Sequence, residues 1–135
     1  MKIIKASTEK DFKELNIFFW EMWKEEFNLE LENQIDIYKR CDIYFIKEYE
    51  INISAIIYST YEWKNNIWRF GTLEKYRWNW YGSKLLNYIL NKYTWDFYLS
   101  SDINQVKYYE KFWFKNTWEK RKVWNTYWIN MILEK

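Results

Sequence analysis

The stretch Thr72-Leu73-Glu74-Lys75-Tyr76-Arg77-Trp78-Asn79-Trp80-Tyr81-Gly82-Ser83-Lys84-Leu85-Leu86 governs how the chain is read. A strand ends, a short loop follows, and an apolar helix begins, with Leu85, Leu86, Ile89, Leu90 and Tyr93 as its stripe. A helix start exposes N–H groups that have no intrahelical partner, and the macrodipole adds partial positive charge there. That combination favours a phosphate. Such a loop calls for glycine, because its backbone must approach a ligand closely and take positive φ. Gly82 is there, but Trp78 and Trp80 stand beside it.

Outward from this loop, alternating and helical patterns give the other elements. Residues 67–73 read as the strand that feeds it, after a turn at Asn65 and Asn66. Asp42–Glu48 and Ile51–Tyr61 are rich in Ile, Tyr and Phe and read as a hairpin. Residues 2–6 predict a short first strand. Thr8 offers an N-cap with Asp11 three residues on. Phe12, Leu15, Phe19, Met22 and Phe27 then predict an amphipathic helix to about Phe27. A second helix over residues 30–40 follows from Leu31, Ile35 and Tyr38. After the central helix, residues 97–100 read as a short buried strand and 104–112 as a helix. Residues 114–122 and 127–133 read as a closing strand pair. The order β-α-α-β-β-β-α-β-α-β-β predicts an α/β sandwich of mixed sheet and flanking helices.

A length of 135 residues fits one domain, and 49% hydrophobic residues supply a core. A net charge of +2 does not argue for nucleic acid or an anionic membrane. No apolar run approaches the ~20 residues that span a bilayer. Met1-Lys2-Ile3-Ile4-Lys5 lacks the long apolar stretch of a signal peptide. Cys41 is the single cysteine, so an intrachain disulfide is impossible and a reducing cytoplasm is expected. With no histidine, a zinc site is not expected.

Two counts are abnormal: 2 glycines and 11 tryptophans. Average glycine usage predicts about 9 for this length. Together the two types number 13, unremarkable if most of the excess tryptophan were glycine. Abundant Lys, Asn, Ile, Tyr and Phe, with no proline, suit an AT-rich gene. UGA is read as tryptophan in some variant genetic codes and as glycine in others. A gene using UGA for glycine, translated with the wrong table, would look like this.

The central stretch resembles a signature of the GNAT superfamily of acyl-CoA N-acyltransferases. That signature commonly runs Tyr-Arg-Gly-x-Gly-x-Gly-Ser-x-Leu-Leu. Arg77, Gly82, Ser83, Leu85 and Leu86 match directly, and Trp78 and Trp80 occupy glycine positions. A second signature, Tyr-Glu-Lys-x-Gly-Phe, is matched by Tyr109-Glu110-Lys111-Phe112-Trp113-Phe114, again with tryptophan for glycine. Trp113 follows a helix, where a left-handed residue is commonly glycine. Trp63, Trp118 and Trp124 sit among turn formers, where glycine is also at home. Trp20 and Trp23 lie in a helix and Trp128 in a strand, and these three read as true tryptophans, since a helical glycine costs about 1 kcal/mol relative to alanine. Trp68 and Trp95 carry no signal either way.

The resemblance implies a GNAT-like mixed, mostly antiparallel sheet of six to seven strands flanked by about four helices, as a single domain over residues 1–135. It implies an N-acetyltransferase that passes acetyl from acetyl-CoA to a primary amine by direct attack in a ternary complex. Arg77, Trp78, Asn79, Trp80, Tyr81, Gly82 and Ser83 would hold the CoA pyrophosphate. Phe70, Gly71 and Thr72 would pair their backbone with the pantetheine arm and supply an N–H to the oxyanion. Tyr109 would protonate the leaving thiolate. Asp102 stands where many members have asparagine. Glu25, Glu26 and Glu62 are the candidates for a general base. Acetyl-CoA enters as co-substrate and no metal is implied. The partner is an amine-bearing small molecule or protein, with neither nucleic acid nor membrane expected.

Plainer readings stand beside these. Leu85, Leu86 and Ile89 are core. Tyr109 could be a packed tyrosine, Arg77 a solvated charge and Ser83 a helix-capping residue. Cys41 reads as a thiol without chemistry, and Glu119-Lys120-Arg121-Lys122 as a solvated face. If every tryptophan is real, stacking platforms suggest a non-catalytic module for sugar or single-stranded nucleic acid, or a GNAT-like fold that has lost CoA binding. The codons separate these: UGA is expected at positions 78, 80 and 113, and UGG at all three would sink the misreading hypothesis.

Overall fold

A two-residue turn of left-handed residues, Tyr49 (φ 50°) and Glu50 (φ 63°), closes the hairpin of β2 (Asp42–Glu48) and β3 (Ile51–Tyr61). Two positive-φ residues match the natural twist of paired strands. The structure, a computed structural model, describes residues 2–23, 34–62, 64–123 and 125–135. Side chains alternate along each strand, so Ile43, Phe45, Ala55 and Ile57 share one face of the sheet, and Tyr44, Ile46, Ile56 and Tyr58 the other. Both sets are buried, which explains the nearly continuous apolar reading of these strands.

The first face packs against Phe12, Leu15 and Phe19 of α1 (Glu9–Trp23) and Tyr38 of α2 (Ile35–Tyr38). The second packs against Leu85, Leu86 and Ile89 of α3 (Tyr81–Lys92) and Val106 of α4 (Val106–Glu110). Leu85, Leu86 and Ile89 are completely buried, each worth about 1.5–3 kcal/mol relative to exposure. With β1 (Ile3–Lys5), β4 (Lys64–Thr72), β5 (Phe97–Asp102), β6 (Lys115–Val123) and β7 (Thr126–Leu133), the strands form one 7-stranded sheet in the order β1-β2-β3-β4-β5-β7-β6. Every pairing is antiparallel except β4 with β5. The element order and mixed sheet are those expected from the sequence.

The capping expected at Thr8 is present. The Asp11 N–H donates to Thr8 Oγ1 (3.1 Å), and the Thr8 N–H returns to Asp11 Oδ2 (3.1 Å). The expected end of this helix near Phe27, and the expected start of the second at residue 30, lie outside the described residues.

Some boundaries differ from expectation. Asn65 and Asn66 are inside β4 rather than in a turn, which instead involves Glu62 (φ 50°). Asn65 is buried. Its N–H donates to the Asp96 carbonyl and its Nδ2 to the Trp95 carbonyl, both at 3.0 Å. These bonds satisfy the polar groups that make asparagine a turn former, and they pin β4 to the entry of β5. Residues 104–112 divide into a 3-10 turn, Ile103–Gln105, and the short α4. β6 carries a bulge between Asn116 and Lys120 that contains Trp118.

Burial pushes the phenols of Tyr38, Tyr58, Tyr93, Tyr108 and Tyr109 above their ordinary range. In the unfolded chain these groups ionise near pH 10. Above that pH the folded chain retains protons that the unfolded chain has lost, so stability falls as pH rises. Urea midpoints are expected to hold from neutral pH to about 10 and to drop beyond it. A midpoint unchanged at pH 11 would contradict the burial of these rings.

Candidate functional site

β4 and β5 stay together for only three register pairs, Asn65↔Phe97, Asn66↔Tyr98 and Ile67↔Leu99. Beyond Ile67 and Leu99 the strands part, and a groove of about 980 Å³ opens there. The ends of β4 and β5, the loop before α3 and the ring face of α4 line it.

The loop is built tightly. After β4, a 3-10 segment (Glu74–Asn79) turns the chain, with the Tyr76 N–H donating to the Leu73 carbonyl at 2.8 Å. Arg77 Nε donates to the Thr72 carbonyl at 3.2 Å, tying the segment back to the strand end. Trp80, in the left-handed region (φ 61°, ψ 16°), reverses the chain into α3. No side chain caps α3, so the N–H groups of its first turn are offered at the groove. Gly82 lets that turn lie against β4. A Cβ there would stand 2.8 Å from Thr72 Oγ1 and 3.3 Å from the Phe70 ring. Thr72 Oγ1 is held in turn by the buried Ser54 hydroxyl at 2.9 Å, which also donates to the Gly71 carbonyl.

Most of the residues singled out by sequence meet here. Phe70, Gly71, Thr72, Arg77, Trp78, Trp80, Gly82, Ser83 and Tyr109 all line the groove. Asn79 and Tyr81 do not; the Tyr81 hydroxyl instead donates to Glu48 Oε1 at 2.8 Å. Asp102 lines the groove, and its Oδ1 accepts the Asn104 N–H at 2.8 Å, capping the 3-10 turn. Glu62, at the far end of β4, is not among the lining residues. Glu25 and Glu26 lie outside the described residues.

Tyr109 packs its ring against Tyr108 (5.3 Å between centroids), Phe114 (6.0 Å) and Phe70 (6.4 Å). Burial, with Tyr108 adding to it, pushes its phenol well above the usual range, so it holds its proton at neutral pH. Tyr108 meets Ser83 Oγ at 3.0 Å, joining α4 to the first turn of α3. Burial likewise raises the half-buried Cys41 thiol. Among the described residues, no group of three or more His, Cys, Asp or Glu could hold a metal, and no helix is long and apolar enough to cross a membrane.

The tryptophans divide by backbone. Trp80 (φ 61°), Trp113 (φ 73°) and Trp118 (φ 64°) are left-handed, and all three are exposed. Trp113 follows α4 and donates its N–H to the Glu110 carbonyl. Trp118 donates its N–H to Asn116 Oδ1 at 2.7 Å, inside the β6 bulge. For a residue with a Cβ, this region costs roughly 1–2 kcal/mol. Trp78 is 89% exposed but has no positive φ, so only close ligand approach argues for glycine there. Trp63 and Trp124 lie outside the described residues. Trp20 and Trp23 are in α1 and Trp128 in β7, all without positive φ.

Sequence reasoning missed much of the opposite wall: Trp68, Arg69, Ser100, Arg121 and Trp128 also line the groove. No short motif contains them. The adjacency of Tyr108 to Tyr109 was the one available hint for that ring.

No family model and no curated protein sequence matches the chain. Its fold nevertheless matches solved structures end to end. Escherichia coli ElaA superposes with a TM-score of 0.83 at 16% identity, covering 99% of this chain and 100% of that one. An acyl-CoA N-acyltransferase from Pseudomonas aeruginosa gives 0.83 at 14%, covering 98% and 99%. An aminoglycoside 6'-N-acetyltransferase complexed with coenzyme A gives 0.81 at 14%, covering 99% and 97%. The chain therefore has the GNAT fold, with its seven-stranded, mostly antiparallel sheet.

Gly82→Ala forces a methyl against Thr72 Oγ1 and the Phe70 ring, with an expected loss of about 1–3 kcal/mol in urea unfolding. Combined with Thr72→Ala the loss should be less than additive. Full additivity would mean that the two residues do not press on each other.

Proposed function

We propose that the chain is an N-acetyltransferase that moves acetyl from acetyl-CoA to a primary amine. The observation that carries this is the meeting, in one groove, of an uncapped helix start, a strand end freed from its neighbour, and a half-buried tyrosine on the wall. The first-turn N–H groups of α3 that face the groove, from Gly82 and Ser83, suit the pyrophosphate of the donor. Arg77 adds positive charge beside them. Phe70, Gly71 and Thr72 lie where β4 no longer pairs with β5, so their outward backbone groups can pair with an amide-bearing pantetheine arm. A backbone N–H in this segment would stabilise the oxyanion as the amine nitrogen bonds to the thioester carbon.

When the carbon–sulfur bond breaks, Tyr109 gives its phenol proton to the departing thiolate, the proton lost by the attacking amine passes to solvent, and the phenolate regains a proton from solvent before the next turnover. The phenol holds its proton at neutral pH, and its place on the groove wall beside Phe70 is the support for the role. Placing amine and thioester side by side removes the need for a covalent intermediate on the enzyme.

The same reading holds that Trp63, Trp78, Trp80, Trp113, Trp118 and Trp124 are glycine in the chain its own cell makes. The left-handed backbone at Trp80, Trp113 and Trp118 supports this. The strongly exposed rings of Trp78, Trp80, Trp113 and Trp118 favour a second reading if they are true tryptophans, an aromatic binding module without acyl transfer.

Thermal unfolding with acetyl-CoA tests the proposal on two versions of the chain, one as written and one with glycine at those six positions. A ligand at a hundred times its Kd adds about 2.7 kcal/mol to the folded state. Stabilisation of the glycine version alone is expected. Stabilisation of both would keep the enzyme and remove the claim that tryptophan obstructs the loop. Two folded versions that both ignore acetyl-CoA would end the acetyltransferase assignment.

A further inference from the structure

Ser100 is the first residue of β5 beyond the parting, since the last pair with β4 is Ile67↔Leu99. Its backbone stays fixed on the other side, where Ser100 pairs with Asn130 of β7. Leu99 belongs to the α3 core, so by alternation the Ser100 side chain lies on the α1 side of the sheet. The residue lines the groove, yet its oxygen is buried and has no hydrogen-bond partner among the described residues. The next serine differs: Ser101 Oγ donates to the Asp102 carbonyl at 2.8 Å. A buried hydroxyl left without a partner is uncommon and costs stability. A polar group that reached the fork of the two strands would satisfy it, because one staggered step about Cα–Cβ turns the oxygen from the wall to the groove.

The direction of the acyl donor decides which group that is. With the pyrophosphate at the start of α3, which follows Thr72 in the chain, the pantetheine arm runs back along Thr72, Gly71 and Phe70. Its thioester end therefore points to the fork between Ile67 and Leu99. Phe70 and Thr72 face Gly82 of α3, so the bulk of the donor occupies the α3 side of the sheet. The α1 side is left for the acceptor, and Ser100 stands there at the fork.

Resting on the acetyltransferase reading, we propose that Ser100 holds the attacking amine. Its Oγ accepts an N–H of the neutral amine and so turns the nitrogen lone pair toward the thioester carbon. The carbon–nitrogen bond forms, the carbon–sulfur bond breaks, Tyr109 protonates the thiolate, and the nitrogen loses its surplus proton to solvent. Ser100 keeps its own proton throughout, so it needs no base beside it.

The test uses the version of the chain that acetyl-CoA stabilises. Release of the CoA thiol is followed with lysine, histamine, spermidine and kanamycin as amines, and the fastest is carried forward. Ser100→Thr and Ser100→Val are nearly alike in shape and differ in a hydroxyl against a methyl. The threonine variant is expected to keep kcat/KM for the amine within about threefold, and the valine variant to lose about tenfold or more, the scale of one hydrogen bond. Stabilisation by acetyl-CoA should survive both. Ser100→Ala should lose activity likewise while its urea midpoint stays level or rises, because an unsatisfied hydroxyl has been removed. Equal rates for the threonine and valine variants would overturn the proposal. A lower midpoint for Ser100→Ala would do the same, since the hydroxyl would then be supporting the fold. So would a chain that binds acetyl-CoA and turns over none of these amines. A chain that does not bind acetyl-CoA instead fails at the earlier reading, and the two failures are distinct.

Discussion

The parting of β4 and β5 is the constraint on which the rest depends. A parallel pair inside an otherwise antiparallel sheet needs a crossover connection, and here the crossover is α3 with its loop. Asn65 anchors the pair at one end through the carbonyls of Trp95 and Asp96. Among the described residues no such anchor recurs at the other end, where the strands diverge after Ile67 and Leu99. The divergence exposes backbone that a closed sheet would consume, and it opens the space that α3 faces end-on. Strand edges are ordinarily a liability. Here the edge is short and lies inside a groove.

Packing then sets how near the helix can come. The first turn of α3 rests on Phe70 and Thr72 because position 82 has no side chain. Thr72 in turn is fixed from below by Ser54, a fully buried hydroxyl whose bonds are local and satisfied. Two small residues and one threonine thus fix the distance between the helix dipole and the free strand end. Tyr108, bound to Ser83, extends the same contact to α4 and so positions Tyr109 beside it.

What could be read from the sequence follows from how local each signal is. The element order came from hydrophobic period, strand-forming residue types and capping and turn signals, and β2 and β3 were located to the residue. Arg77, Gly82, Ser83 and Tyr109, which line the groove, were singled out because two short runs of consecutive residues resemble GNAT signatures. Asn65 misled because its side chain is satisfied by Trp95, thirty positions away in the chain. Arg69, Ser100 and Arg121 were missed for a related reason. Their face of the sheet is set by register and bulges, including the shift between Ile57 and Tyr58, and no single segment encodes it. The left-handed backbone at positions 80, 113 and 118 was foreseeable, because turns and helix ends announce themselves locally.

The exposed rings at Trp78 and Trp80 also bear on solubility. Both line the groove and both are largely uncovered, at 89% and 68%. An aromatic side chain of this kind carries roughly 150–250 Å² of surface. Two of them at one opening make an adhesive patch of the size that mediates association. A host that inserts tryptophan at these codons would therefore make a chain that sticks to itself at the mouth of its own groove. A host that inserts glycine would make one whose mouth is bare backbone and well hydrated.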